Sequence, residues 1–502
     1  PAICGRVCNR RCEDACTRGR VDEAVAIDEV KKFIAQRDLD AATRYVPPVV
    51  TPTRAGGFDQ KIAIIGAGPA GLSCAFYLAE KGYKPVVFEK NERPGGMLTY
   101  GIPSFKLQKD VIEAEVEVIR LMGAEFRYGV EVGRDVTLDE LRAQGFKAFY
   151  VAIGCQGGRL VGIPGEDAED VTVAVDFLRE VNSGKIDTLS GRTIVVGGGN
   201  VAIDVARNAC RLGSEHVEMF CLESEAQMPA SEEERREAIE DGAHISYGWG
   251  PKEVHLDEAG HVRGITFKRC TRVFDDEGRF APEYDENDLR RVDADRVVMS
   301  IGQSIVWGDL LAGSKVELGR GQGALADPQT YQTAEPDIFV GGDVYTGPSF
   351  AIDAIAAGHE AAVSIHRFVQ PGSTLTIGRN QRRYTALDRD DVVIESYDNA
   401  SREVAHVDRE REKAAPFSEY VETFTEEQVR AETARCLGCG ASIVDPNKCI
   451  GCGLCTTKCA FDAIHLDRDR PECSTMVKYE QKLPSLGKYA LKRAIKIKFG
   501  RK

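Results

Sequence analysis

Hydrophobic and polar positions alternate with two different periods along most of the chain. Residues 61–90 run from an apolar stretch through a glycine-rich turn into an amphipathic helix, and then into a second apolar stretch that ends at Glu89. That order is typical of a unit of β-strand, α-helix and β-strand. The same order recurs over residues 192–224. The pattern therefore predicts two nucleotide-binding folds in one chain.

Apolar runs outside these two units predict further strands and helices. Strands are predicted at residues 148–154, 296–303 and 337–343. Helices are predicted at residues 22–37, 350–369 and 425–434. Two of these strands, at 296–303 and 337–343, and the helix at 350–369 follow the second unit.

These elements divide the chain into eight segments. The predicted segments are a helical cysteine-bearing module (1–45), a linker (46–60), the first part of one dinucleotide-binding domain (61–185), a second such domain (186–300), the remainder of the first (301–370), a linker with a helix (371–435), a ferredoxin-type domain (436–473) and a basic tail (474–502).

The net charge and the hydropathy of the chain exclude some classes of protein. The 502 residues include 65 Lys and Arg against 79 Asp and Glu, a net charge of −14, which argues against a nucleic-acid binder. No apolar run approaches the roughly 18 residues of a transmembrane span, so a soluble, cytoplasmic protein is expected. Residues 474–502 carry +8, which leaves −22 for the rest. Such a tail is either a solvated end or an arm that docks on an acidic partner or surface.

The first glycine motif indicates a dinucleotide site. Gly66 permits a tight turn after a strand, Gly68 lets a pyrophosphate approach the backbone, and Gly71 lets helix and strand pack closely. Glu89, at the end of the second strand, is placed to accept a hydrogen bond from a ribose hydroxyl. The alternative is a glycine-rich turn of an α/β protein that binds nothing.

The second glycine motif bears on the choice of nucleotide. It comprises Gly197, Gly199, Asn200, Val201 and Ala202, again after a strand. The second strand of this unit leads to Glu223, and a carboxylate there accepts from the 2′-hydroxyl of NAD but repels a 2′-phosphate. NAD(H) is therefore favoured over NADP(H), unless Glu223 only faces solvent.

Cysteines are clustered at both ends of the chain. One group is Cys4, Cys8, Cys12 and Cys16, and the other is Cys436, Cys439, Cys449, Cys452, Cys455, Cys459 and Cys473. Residues 449–459 have the spacing of a bacterial ferredoxin run, which predicts a [4Fe–4S] cluster. The N-terminal four could hold another, and zinc remains the alternative at either end. The five isolated cysteines, including Cys74, are expected to serve packing.

Several motifs in order resemble the small-subunit family of glutamate synthase, which is also similar to parts of dihydropyrimidine dehydrogenase and of NADH-dependent ferredoxin:NADP oxidoreductase. They are both glycine motifs, residues 92–98, GIP at 101–103, the turn at 228–230, MSIGQ at 299–303 and Gly341-Gly342-Asp343. The resemblance implies an α/β fold with two interleaved Rossmann-like domains, for FAD and NAD(P), flanked by two iron–sulfur modules. It places FAD along Gly66, Gly68, Ala70, Gly71, Glu89, Lys90, Arg93, Gly96, Met97, Leu98, Gly342 and Asp343.

The sequence departs from this family at two places. NADPH-using members typically carry a Tyr-Arg-Arg stretch where this chain has Cys221-Leu222-Glu223. An upstream cysteine group that shares cluster ligands in the family is absent, and the chain starts at Pro1 within the N-terminal motif. The first departure puts NADP specificity in doubt. At least two [4Fe–4S] clusters are expected, and the second departure leaves their exact number open.

The resemblance implies an electron-transfer subunit in which the cofactors carry the chemistry. No catalytic side chain is assigned, and the flavin module has no C-x-x-C dithiol to receive electrons. The expected reaction is hydride transfer from NADH to FAD, followed by single-electron transfer to [4Fe–4S] clusters. Expected partners are other redox subunits of a heteromeric complex and ferredoxin. Alternatives are the small subunit of a glutamate synthase and a conducting scaffold that does not oxidise a nucleotide.

Overall fold

A computed structural model describes most of the chain. The described residues are 1–50, 57–377, 379, 394, 397–439, 444, 448–458, 464–466 and 478–499. They belong to two compact units, one of residues 1–379 and 387–437 and one of residues 380–386 and 438–502. Within the described ranges, no helix combines the length and apolar character needed to cross a membrane.

The larger unit begins with short helices and continues into alternating strands and helices. The N-terminal helices are α1 (Cys4–Val7), α2 (Arg11–Asp14) and α3 (Ile27–Leu39). The elements that follow are β1 (Lys61–Ile65), α4 (Pro69–Glu80), β2 (Val86–Glu89), α5 (Met97–Tyr100), α6 (Lys109–Leu121), β3 (Glu125–Tyr128), α7 (Leu138–Ala143), β4 (Phe146–Val151) and β5 (Gly157–Gly158).

The second nucleotide fold follows, and the chain then returns to the first. The elements of this part are β6 (Val171–Val173), α8 (Ala174–Asn182), β7 (Arg192–Val196), α9 (Asn200–Arg211), β8 (His216–Cys221), α10 (Glu232–Glu240), β9 (His244–Tyr247), β10 (Trp249–Leu256), β11 (Val262–Phe274), β12 (Phe280–Val292), β13 (Arg296–Met299), β14 (Gln303–Ser304), β15 (Ile338–Val340), α11 (Asp343–Thr346), α12 (Ala351–Val369), α13 (Arg409–Ala414) and α14 (Glu426–Ala434). In the smaller unit lies α15 (Tyr479–Phe499).

Two parallel five-stranded sheets form the cores of the two nucleotide folds. The first has the strand order β15-β4-β1-β2-β3 and the second β6-β13-β7-β8-β9. Strand β15 joins the first sheet although the whole second sheet lies between it and β4 in sequence. The two folds are therefore interleaved, which confirms the predicted fold class. Strands β10, β11 and β12 add an antiparallel sheet within the second fold.

The hydrophobic pattern explains why these strands lie where they do. Four of the five residues in β1, and likewise in β7, are buried. Strands covered on both faces read as continuous apolar runs, because helices pack on each side of a parallel sheet. The returning helix α12 packs against α4 so closely that a Cβ at Gly358 would lie 2.3 Å from the Ala70 carbonyl oxygen.

Most elements predicted from the pattern are present. The helix predicted at residues 350–369 is α12, and that at 425–434 is α14, which Thr425 caps by accepting from the Gln428 N–H. The helix predicted at residues 22–37 begins later, at Ile27. Residues 22 and 23 form a bend before it, where Asp22 is tied to Arg18 by a salt bridge of 2.6 Å.

The segment after residue 397 packs on the rest of the larger unit. Arg435 is 1% exposed and donates to Asp22 of the N-terminal module at 3.1 Å. Glu432, fully buried, accepts from the Ala26 N–H at 2.8 Å. At its other end, the segment accepts from Arg211 of α9 through the Pro416 carbonyl at 2.6 Å. The segment therefore links the N-terminal module to the second nucleotide fold.

Candidate cofactor-binding site

The first glycine turn joins β1 to α4. Gly66 has a φ of +104°, and a Cβ there would lie 2.5 Å from the Ala152 carbonyl oxygen. A Cβ at Gly71 would lie 1.9 Å from the Gly66 carbonyl oxygen, so α4 packs directly on the turn. At Gly68, nothing lies within 4 Å of the Cβ position. The turn is thus closed on its protein side and open at Gly68, where a bulky anion could approach the helix N-terminus.

The second glycine turn repeats this geometry between β7 and α9. Gly197 has a φ of +143°, and a Cβ there would lie 2.2 Å from the Ser300 carbonyl oxygen. Gly199 precedes α9 and has nothing within 4 Å of its Cβ position. The chain therefore contains two open backbone cradles of the same design.

Glu89 fixes the first cradle to the end of β2. The side chain is 3% exposed. Its Oε2 accepts from the Ala67 N–H at 2.8 Å, and its Oε1 accepts from the backbone and side-chain N–H groups of Asn91 at 2.9 and 2.7 Å. A carboxylate has about four acceptor positions, so room remains for a ribose hydroxyl.

The segment around Gly96 faces the first cradle. Gly96 has a φ of +55°, and a Cβ there would lie 3.1 Å from the Gly68 Cα. The Gly95 N–H donates to the Ala67 carbonyl at 2.8 Å. This contact sets Met97, at the start of α5, next to the cradle.

The returning chain adds a carboxyl group from the other side. Gly342 has a φ of +67°, and a Cβ there would lie 3.0 Å from the Ala70 Cβ at the start of α4. Asp343 follows and accepts from the Ser349 N–H at 3.3 Å. Burial raises the pKa of the Asp343 carboxyl to about 6. Near neutral pH this side chain is an acceptor for a polar ligand group.

Glu223 lies against the second cradle. A Cβ at Gly198 would lie 2.9 Å from Glu223 Oε2. The Ala230 N–H donates to the Gly198 carbonyl at 3.0 Å, which docks the turn at residues 228–230 on the same loop. The carboxylate therefore contacts the glycine turn itself.

One cavity of about 1590 Å³ connects both cradles with the N-terminal module. Pockets for single small ligands are typically about 300–1,000 Å³. The predicted site residues that line the cavity are Cys8, Gly66, Gly68, Ala70, Glu89, Lys90, Gly96, Met97, Leu98, Gly199, Asn200, Val201, Gly342 and Asp343. The other predicted dinucleotide residues lie outside its lining: Gly71, Arg93, Gly197, Ala202 and Glu223.

A partly buried ion cluster, which also lines the cavity, joins the two nucleotide folds, and no sequence pattern singled it out. Lys106, between α5 and α6, donates to Asp204 of α9 at 2.6 Å and also contacts Glu234 of α10. Burial alone would lower the pKa of Lys106, but the two carboxylates outweigh it and raise the pKa. Asp204 lies one helical turn after Asn200 of the second glycine motif, so both residues lie on one face of α9. This spacing is the feature of the sequence that indicates Asp204.

No sequence pattern singles out Lys109 either. Its ammonium group donates to the carbonyl oxygens of Leu98 and Ile102 at 3.2 and 2.5 Å. Burial lowers the pKa of this lysine to about 7. A lysine with that pKa, one contact from the cavity lining, can release or take up a proton near neutral pH.

The N-terminal cysteines lie in and around α1 and α2. Burial raises the pKa of Cys4, and the nearby Cys8 thiol adds to the rise. Burial also raises the pKa of Cys12, again with a contribution from Cys8. Lys31 is close enough to lower the pKa of both. Cys8 also lines the cavity.

The C-terminal cysteines that the structure describes are Cys436, Cys439, Cys449, Cys452 and Cys455, all exposed. Cys459 and Cys473 lie outside the described residues. Within the described ranges, no three His, Cys, Asp or Glu side chains converge closely enough to hold a metal ion. Thiolates are the usual ligands of [4Fe–4S] clusters, so the cysteines at both ends of the chain are donors of the right type. Which of these cysteines bind each cluster remains a prediction.

Comparison with protein families identifies the nucleotide folds. Residues 60–358 match the family model described as pyridine nucleotide-disulphide oxidoreductase. The chain belongs to this family. Residues 1–43 match the 4Fe–4S cluster domain II of dihydropyrimidine dehydrogenase, and residues 442–465 match a 4Fe–4S binding domain. This member of the pyridine nucleotide-disulphide oxidoreductase family therefore carries an iron–sulfur domain at each end.

Characterised relatives in this family bear out the resemblance to glutamate synthase small subunits. The NADP(+)-dependent formate dehydrogenase subunit beta of Moorella thermoacetica is 35% identical over 87% of this chain and 65% of its own length. The glutamate synthase [NADPH] small chain of Escherichia coli K12 is 34% identical over 74% of this chain and 81% of its own. The NAD-dependent dihydropyrimidine dehydrogenase subunit PreT of E. coli O157:H7 is 32% identical over 74% of this chain and 82% of its own length.

The residues fit the dinucleotides of the pyridine nucleotide-disulphide oxidoreductase family. Each cradle presents open backbone at Gly68 or Gly199, next to the start of a long helix. The helix N-terminus favours phosphate, and the missing Cβ permits close approach. FAD would be held by the first cradle, with Gly96 and Asp343 alongside, and NAD(P) by the second.

Proposed function

We propose that this chain is the electron-transfer subunit of a heteromeric redox complex, which moves electrons between NADH and 4Fe–4S clusters, ferredoxin or partner subunits. The observation that carries the proposal is the single cavity lined by both dinucleotide cradles and by Cys8 of the N-terminal iron–sulfur domain. A shared cavity lets a nicotinamide, a flavin and a cluster come close together without any large movement of the chain. We place the protein in the cytoplasm, where thiolate ligands stay reduced.

The chain's own residues hold and orient the cofactors rather than react. FAD, when bound, accepts two electrons as hydride and releases them singly, which suits clusters that carry one electron at a time. Gly68 and the N-terminus of α4 would hold its phosphates, and Asp343 would accept from its hydroxyl groups. The isolated cysteines of residues 61–370 offer no dithiol, so we propose that electrons leave through the iron–sulfur domains instead.

Glu223 supports NADH as the preferred nucleotide. Its carboxylate contacts the glycine turn at Gly198, where the ribose of a bound dinucleotide would lie. A 2′-phosphate there would meet a negative charge at short range, without the paired arginines expected of an NADPH site. Of the three relatives described above, two have names that specify NADP(+) or NADPH and one has a name that specifies NAD. The local charge is therefore the basis of the proposal.

Anaerobic stopped-flow reduction of the isolated protein tests this function. We expect NADH to bleach the flavin rapidly and the iron–sulfur absorbance to fall afterwards, and NADPH to react more slowly. Faster bleaching by NADPH would overturn the nucleotide assignment. Flavin bleaching without any change at the clusters would overturn the electron-transfer role.

The small subunit of a glutamate synthase is a second candidate, favoured by the 34% identity to the E. coli small chain. The C-terminal iron–sulfur domain at residues 442–465 argues for a different electron partner. Purification of the complex from its native source separates the two candidates. A large glutaminase-bearing partner would favour glutamate synthase, whereas iron–sulfur or flavin partners would favour the proposal above.

A further inference from the structure

The C-terminal helix α15 exposes an unusual amount of apolar surface. None of its 21 residues is buried. Eight of its large apolar side chains are more than half exposed: Tyr479, Leu483, Leu486, Tyr489, Leu491, Ile495, Ile497 and Phe499. Single exposed apolar side chains are ordinary on a protein surface, but a contiguous set on one helix marks an interaction surface.

Most apolar residues of α15 fall on the side opposite its cations, although Tyr489 and Phe499 lie on the cationic side. With about 100° between successive residues, one arc of the helix takes positions 479, 483, 486, 490, 491, 494, 495 and 497. The opposite arc carries five cations: Lys482, Lys488, Lys492, Arg493 and Lys496. Glu480 and Lys498 fall on the apolar arc but lie at the two helix ends, where a long side chain can reach water. The helix as a whole has six cations and one anion, a net charge of +5.

We propose that α15 lies in the headgroup layer of an anionic lipid membrane, parallel to its surface. Its apolar arc would face the acyl chains and its lysines the lipid phosphates. Helices of this kind combine a basic polar face with leucine, isoleucine and aromatic residues on the other. Tyr479, on the apolar arc, adds a ring with one polar tip, which suits the boundary between water and hydrocarbon.

The width of the apolar face favours a membrane over a protein groove. A helix that docks in a groove presents a stripe of about 100°, read at every third or fourth residue. The apolar arc of α15 covers about half of the circumference and includes neighbouring positions such as Leu491 and Ile495 as well as Ile497. A planar lipid boundary can cover such a face over its whole length.

Charge complementarity identifies the lipid as anionic. Residues 474–502 carry +8, whereas residues 1–473 carry −22. An anionic surface therefore attracts the tail and repels the rest of the chain, so the contact is confined to the helix. A neutral lipid surface would not use the row of Lys488, Lys492 and Lys496.

Vesicle sedimentation with the full chain tests the proposal. One set of vesicles is pure phosphatidylcholine, and the other is a three-to-one mixture of phosphatidylcholine and phosphatidylglycerol. We expect binding to the mixed vesicles only, with affinity that falls as salt is raised. The variant Lys488→Gln/Lys492→Gln/Lys496→Gln should lower the affinity by about five-fold per lysine. Leu491→Gln/Ile495→Gln should also weaken binding, by removing apolar contact but no charge.

A matched variant controls for net charge. Lys84→Gln/Lys147→Gln/Lys185→Gln removes three exposed lysines from the larger unit and should bind like the unaltered chain. Equal loss of affinity in this variant would show that only overall charge matters and would overturn the role of α15. Failure to bind mixed vesicles, or specific capture of an acidic protein in their place, would also overturn the proposal.

Discussion

At the scale of single residues, the glycines of the dinucleotide turns serve two different purposes. Gly71 is closed in by the Gly66 carbonyl oxygen, 1.9 Å from its Cβ position, whereas Gly68 has open space. A side chain at Gly71 must displace the backbone, whereas a Cβ at Gly68 meets no protein atom within 4 Å. Packing and cofactor access can therefore be tested separately within one motif.

Alanine substitutions at these two glycines should give different results. Gly71→Ala should lower the free energy of unfolding by about 1–3 kcal/mol, because the added methyl overpacks the turn. Gly68→Ala should leave the unfolding of the flavin-free chain unchanged but weaken FAD binding, since the methyl blocks the approach of the phosphates. Urea denaturation and flavin titration measure the two effects. Equal destabilisation by both variants would contradict the assigned roles.

Glu223 provides a test of nucleotide choice. Glu223→Arg should lower kcat/KM for NADH and raise it for NADPH, because an arginine beside Gly198 attracts the 2′-phosphate. The control is Glu258→Arg, which makes the same charge change at an exposed position of the same fold. Unchanged kinetics in the Glu223 variant would show that its carboxylate does not contact the ribose.

Asp343 predicts a pH effect on stability. Its pKa in the folded, flavin-free chain is about 6, above the ordinary value of 3.8, because the carboxyl is buried. The folded state therefore binds more protons at this carboxyl between these values. The contribution of Asp343 to stability is thus fully present below pH 3.8 and is lost as pH rises through 6, a loss of up to about 3 kcal/mol. Asp343→Asn should remove this fall, as measured by denaturation across that range. An identical pH profile in the variant would rule out the effect.

At the scale of elements, the relation between the two nucleotide folds depends on the loop between α5 and α6. Lys106 bridges to α9 and α10, and the ring of Phe105 lies against Arg207 and Arg211 at 4.7 and 4.2 Å. Gln108 of the same loop donates to the Phe417 carbonyl at 2.9 Å. The loop therefore contacts both the second fold and the segment that follows residue 397.

Removal of the Lys106 charge should destabilise this contact. Lys106→Met should cost about 1–3 kcal/mol of unfolding free energy, because Asp204 and Glu234 lose the cation that neutralises them in a partly buried site. Adding Asp204→Asn and Glu234→Gln should restore part of the loss. Lys84→Met, at an exposed position, should have little effect in the same urea titration. No rescue by the neutral amides would mean that packing, not charge, accounts for the loss.

At the scale of the whole molecule, iron–sulfur domains lie at both ends of one chain. The family matches place them at residues 1–43 and 442–465. Cys8→Ala and Cys452→Ala should each remove roughly half of the bound iron if each end holds one cluster. Cys74→Ala, at a fully buried and isolated thiol, should retain all of it. Iron and acid-labile sulfide analysis measures the outcome, and full iron content in either of the first two variants would contradict the ligand assignment.

The sequence by itself determined the two nucleotide folds and their glycine turns, because apolar periodicity and glycine spacing are local properties. It also determined both iron–sulfur domains, since their cysteines are close together in the chain. The tertiary structure alone decided how Lys106 meets Asp204 and how Arg435 meets Asp22, residues separated by 98 and 413 positions. No local pattern encodes such contacts. They form only when the folds bury charged side chains that must then be paired.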